Sequence, residues 1–141
     1  MAKESGLGVT TLSVDEGGAD TLRAIINDVT DFTIAILSNL LDWTGVDKSA
    51  MERGFGVADA NGTINGIFND AATTGSHTVL KDAPTTIFAG QVGRTVSLVH
   101  SGQTLNNEAL FQSYTLTRGA DGSLNFAAPW SLSDGTVPAW S

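Results

Sequence analysis

His77 and His100 are the only imidazoles in the chain, and their spacing is not the two-His, one-Glu pattern that holds zinc in a metallopeptidase. His100 continues the apolar alternation of Val96 and Leu98, the position of a structural histidine. Asp59, Asn61 and Thr63 begin like a calcium loop, but Ile64 stands where that loop requires Gly and Asp70 where it requires Glu. The Gly54, Phe55, Gly56 run lacks the third glycine and the preceding strand of a dinucleotide site, and reads as a loop hinge. Asn61, Gly62, Thr63 is a glycosylation sequon, expected to stay unused because no secretory signal opens the chain. The carboxylates are dispersed, with no pair spaced as general acid and base. These residues imply neither catalysis nor a metal nor a cofactor.

What such residues do must then follow from the elements that carry them. Leu124, Phe126, Ala128, Trp130 and Leu132 alternate with smaller or polar residues, the period of a half-buried β-strand that must find an apolar partner. Further strands are expected at 9–14, 57–69, 86–89, 94–100 and 109–118, with turns at 15–18, 101–107 and 119–122. From 57 to 69, Asp59, Asn61, Thr63 and Asn65 alternate with Ala, Gly and Ile, so one face can be wet while another backbone approaches the other. Between Leu22 and Leu40 the apolar period leans helical, although Phe32, Ile34 and Ile36 also fit a strand. A short helix or irregular connection is expected at 73–83, stopped by Pro84. Residues 1–8 read as a flexible arm, and 42–56 as a long loop with one helical turn near 47–53.

With 141 residues and no internal repeat, the chain reads as a single domain, and without cysteine its core must hold by packing. The formal net charge of −8 opposes tight binding to nucleic-acid phosphates. Only 16% of residues are charged while 41% are hydrophobic, a composition suited to a surface largely covered by other subunits. No apolar run approaches the ~20 residues of a membrane span.

The segments MAKESGLGVTTLSVD, WTGVDKSAMERG, TINGIFNDA, RTVSL, YTLTRGADGSL and DGTVPAWS, in that order and spacing, resemble the tail tube (major tail) proteins of long-tailed bacteriophages of the siphovirus type. The resemblance implies a mainly β fold, a β-sandwich or barrel of about seven strands with one short flanking helix and a long loop. It implies hexameric rings that stack into a hollow tail through which DNA passes without specific binding. Its partners would be further copies of itself and other tail proteins such as the tape measure and the tail terminator. The protein would be assembled in the host cytoplasm and reside in the virion tail. It also implies strands, not a helix, from Leu22 to Leu37, paired about Asn27 and Asp28. The loop residues Asp47, Lys48, Glu52 and Arg53 are then expected at contacts between rings, and Asp59 and Asp70 on the lumen wall. Two other readings share the composition: a capsid decoration or head-associated β domain, and a tail-fibre carbohydrate-binding module. The second needs an exposed aromatic platform, which Trp130 on the apolar stripe cannot supply.

Overall fold

The computed structural model describes residues 5–16, 21–85, 93–133 and 136–141. Its strands are β1 (Val9–Glu16), β2 (Thr21–Ala24), β3 (Val29–Asp42), β4 (Arg53–Ile67), β5 (Arg94–His100), β6 (Gln103–Phe111), β7 (Thr115–Arg118) and β8 (Leu124–Leu132), with one short helix, α1 (Ser76–Leu80). The strands form an antiparallel sheet in the order β2-β1-β5-β6-β8-β4-β3, and β7 also pairs with β8. The mainly β architecture with one short helix is the expected one. Among the described residues, no helix is long and apolar enough to cross a membrane.

Leu12 and Val14 of β1 share one buried cluster with Ala60 and Ile64 of β4, although β5, β6 and β8 lie between those strands in the sheet. Laid flat, four spacings of ~4.8 Å would hold β1 and β4 ~19 Å apart. The sheet must therefore roll about a single core, the outcome that strand twist favours when one face is apolar. Val79 and Leu80 of α1 join that core. The helix is tied down by Asp28, which accepts from the Ser76 N–H at 3.1 Å, and by the Ser76 hydroxyl, which donates to the Ile67 carbonyl at 2.8 Å. The buried Arg94 guanidinium donates to the Val79 carbonyl; burial lowers its pKa, and the Asp15 and Asp82 carboxylates offset that effect only in part.

At β8 the predicted stripe is confirmed: Phe126, Ala128 and Trp130 are buried, with Trp130 only 1% exposed. Strand β5 has the expected bounds, and α1 falls within the expected 73–83 connection. The hairpin at 119–122 is present: Gly122 has φ +94°, and the Asp121 carboxylate accepts from the Ser123 N–H and hydroxyl.

Several expectations are corrected. The helical period between Leu22 and Leu40 gives way to β2, one 3₁₀ turn at Ile26–Asp28, and β3. Nor do the two strands pair about Asn27 and Asp28, since β2 pairs with β1 and β3 with β4. The 101–107 turn shrinks to Ser101 and Gly102, whose φ of +51° and +76° suit a two-residue hairpin. After it, Leu105, Asn107, Ala109 and Phe111 point inward along β6, and the chain breaks at 112–114 before β7, because β6 and β7 take successive stretches of the same β8 edge. Finally, no helical turn forms at 47–53, and Gly54, Phe55 and Gly56 lie inside β4 and are not a hinge. The strand expected at 86–89 and the first four residues of the expected arm lie outside the described residues; Ser5–Gly8 form an exposed 3₁₀ turn.

Candidate assembly surfaces

Alternation along β4 separates two faces. Ala60, Gly62, Ile64 and Gly66 are buried against the core, while Asp59, Asn61, Thr63 and Asn65 look outward. The register carries the outer face onto β3 through Asp31, Thr33, Ala35 and Leu37, and onto β8 through Asn125, Ala127, Pro129 and Ser131. Its only charges across these stretches are Asp31 and Asp59, surrounded by amides, hydroxyls and small apolar groups. Asn65 donates to the Asp31 carboxylate at 2.7 Å.

Of the two carboxylates expected on one wall, only Asp59 lies on this face. Asp70 is exposed in the turn beyond β4, and the eight strand steps from Asp59 to Ile67 already span ~26 Å. Asp31 is a second carboxylate on this face, one that sequence reading did not place there. Its alternation with Thr33 and Ala35 was the available signal, masked by the competing helical period.

The second surface is the β3–β4 hairpin. Its far half leaves the core, and Leu37, Leu40, Leu41, Trp43, Phe55 and Val57 are all exposed, Phe55 by 78% and Val57 by 83%. A register shift between Ser38 and Leu40 sets Leu40 opposite Phe55, while on the other side Leu41 lies against Gly56 and the Trp43 ring lies on Gly54. Both sides of the hairpin are thus apolar, and β3 is an outer strand of the sheet, its far edge unpaired by any other described strand. Exposed apolar area of this kind marks an interaction site, and an unpaired edge is a template for another strand.

The hairpin ends in the loop that carries Asp47, Lys48 and Glu52, while Arg53 opens β4 opposite Asp42. The expected loop of 42–56 is therefore shorter, since both ends continue the ladder. At its neck the Thr44 hydroxyl donates to the Asp42 carboxylate at 2.7 Å and accepts from the Glu52 N–H at 2.7 Å; the Thr44 N–H adds a bond to Asp42 at 3.1 Å. First the Thr44 hydroxyl and then its N–H hold the Asp42 carboxyl below the usual carboxylate range. A depressed folded pKa stabilises the clasp above the ordinary value, and the contribution is lost as pH falls through the depressed one. Amide exchange at Thr44 and Glu52 is expected to speed up relative to the intrinsic rate below about pH 4. In Asp42→Asn that pH dependence should vanish, and an unchanged profile would disprove the clasp.

The third surface is a groove of about 450 Å³ between the start of β1 and the start of β3, lined by Leu7, Val9, Ile26, Val29 and Phe32 with Asp31 at its rim.

Neither histidine stands in a reactive constellation. His77 stacks between Phe68 and Tyr114 at 4.5 and 5.7 Å between ring centres, with Nδ1 at 3.1 Å from the Tyr114 hydroxyl. His100 is half-buried beside Gly8. Among the described residues, no group of His, Asp or Glu could hold a metal ion.

No protein-family model matches the chain, and no curated protein matches it in sequence. Its fold is nonetheless shared by solved structures. One is a chain from the virion of a native gene transfer agent particle, with a TM-score of 0.71 at 14% identity and 99% of both chains covered. Another comes from the tail of an empty gene transfer agent particle of C6 symmetry, with a TM-score of 0.71 at 17% identity, covering 99% of this chain and 98% of that one. At such identities the likeness establishes the fold over the full length of the chain.

Proposed function

We propose that this protein is a structural subunit of a phage-like tail, whose copies close into hexameric rings that stack into a hollow tube for DNA. The observation that carries the reading is the projecting hairpin, apolar on both sides and open along the β3 edge. A monomer gains nothing by displaying Phe55 and Val57 to water, whereas a ring of identical copies covers them. The full-length likeness to a chain of a C6-symmetric tail supports the same reading and the hexameric count. Lateral closure needs a heterologous contact, and one subunit's β3 edge pairing with its neighbour supplies it.

The outer face of β3, β4 and β8 lines the channel in this reading. DNA carries about one negative charge per 1.7 Å, so a basic wall would grip it by counterion release. A wall of Asn, Thr, Ser and Ala with Asp31 and Asp59, repeated by symmetry, leaves it free to slide. The loop with Asp47, Lys48 and Glu52 makes the axial contact between rings. The ends of the tube meet other tail proteins, a tape measure and a terminator among them, and the protein resides in the virion tail after assembly in the host cytoplasm.

Negative-stain microscopy of the purified protein tests the reading. Rings and tubes with a central channel are expected; small closed oligomers without one, as a head decoration protein would form, would overturn it. Replacing residues 45–50 by a two-residue turn should leave folded protein that no longer stacks, and normal tubes from that variant would remove the loop from the axial contact.

A further inference from the structure

We infer that the groove between the start of β1 and the start of β3 is the receptor for the loop tip of a second copy, with Val46 and Met51 entering it and Lys48 reaching Asp31. The inference rests on the tail-subunit reading and names the receiving half of its axial contact. Val46 is fully exposed and Met51 more than half exposed, both on the loop at the far end of the hairpin. The groove lies at the opposite end of the same strand: Phe32 lines it, and ten strand steps of ~3.3 Å separate Phe32 from Asp42, about 33 Å. An apolar knob and an apolar hole at opposite ends of one rigid element make a head-to-tail contact that cannot be satisfied within a single copy, and repetition of it propagates along an axis.

The chemistry of the two halves matches. The groove is walled by Leu7, Val9, Ile26, Val29 and Phe32, and its volume of about 450 Å³ lies within the range of sites that take a drug-sized ligand, so two aliphatic side chains fit. Among the described residues its lining carries Asp31 and no basic residue, while the loop carries Lys48 two residues from Val46, next to Asp47 and one of only seven basic residues in a chain with fifteen acidic ones. Opposite charges at the rim of an apolar contact set orientation and speed association more than they add affinity.

The absence of cysteine allows a clean test. In assembled Leu7→Cys/Val46→Cys protein, a short bifunctional thiol reagent should yield a ladder of covalent multimers, while each single variant gives at most dimers. Val46→Asp, a change at an exposed position, should keep the monomer's melting curve and raise the concentration needed for stacking by more than about tenfold. Lys48→Glu should weaken stacking, and Lys48→Glu combined with Asp31→Lys should restore it. Tubes that form normally while the double-cysteine protein gives no ladder would overturn this contact and leave the tail-subunit reading standing. Failure of the unmodified protein to form any rings or tubes would overturn both.

Discussion

Trp130→Ala is expected to destabilise the protein by ~3 to 5 kcal/mol, the range for deleting a large buried aromatic side chain and leaving a cavity. Trp130 lies 1% exposed on β8, flanked by Gly62 of β4 and Phe111 of β6, so neither neighbour can fill the space. For a domain of this size the loss corresponds to roughly 10 to 15 °C in melting temperature. Its indole N–H has no hydrogen-bond partner among the described residues, so Trp130→Phe removes an unsatisfied donor with less loss of volume and should cost less than the alanine change. The neighbouring Ser131 faces the other way, half-buried, with its hydroxyl accepting only from exposed Gln112. Ser131→Ala should stay within ~0.5 kcal/mol. Thermal and urea unfolding of the three variants decides; equal effects at 130 and 131 would disprove the two-faced strand.

Gly62→Ala has an expected sign opposite to strand propensity. A glycine inside a strand normally costs about 0.5 to 1 kcal/mol relative to alanine, so propensity alone predicts stabilisation. Here a methyl group would stand 2.2 Å from the Thr33 carbonyl oxygen and 2.7 Å from the Trp130 ring. The carbonyl belongs to the paired β3 backbone and cannot swing aside as a side-chain end would. The strain should therefore outweigh the propensity gain and destabilise by about 3 kcal/mol, the upper part of the overpacking range. Gly66→Ala meets the Asp28 carbonyl at the same 2.2 Å and should behave alike, whereas at Gly6 a methyl meets nothing within 4 Å and the change should be near neutral. A stabilised Gly62→Ala in urea unfolding would show that β3 and β4 do not close as tightly as described.

Where each half-buried strand has the core on one side and water on the other, residue types show it. Strand β8 and the core-side half of β4 are such cases, and their alternation was readable because each position answers to a single environment. Strand β3 was not readable. Beyond Ile36 it leaves the core and is exposed on both sides, so Leu37, Ser38, Asn39, Leu40 and Leu41 do not alternate and a helical period fits as well. Strand β6 hid for another reason: Asn107 sits inward among apolar neighbours, which breaks the apolar alternation and imitates a turn. The acidic candidates divide in the same way. Asp59 shares the alternation of β4 and keeps its face, while Asp70 follows the strand's end, where alternation has no force.

Composition and local period, properties of consecutive residues, were enough to show a β protein that is acidic and sparsely charged. Tertiary structure alone decided which strands are neighbours, how the sheet rolls until β1 and β4 share a core, and that the hairpin projects with a groove at its opposite end. The physical reason is range. Side-chain alternation is set by the pleat within one strand, whereas the pairing of β5 with β1 or β8 with β4 depends on burying apolar faces that lie dozens of residues apart, and no short window of sequence contains both partners.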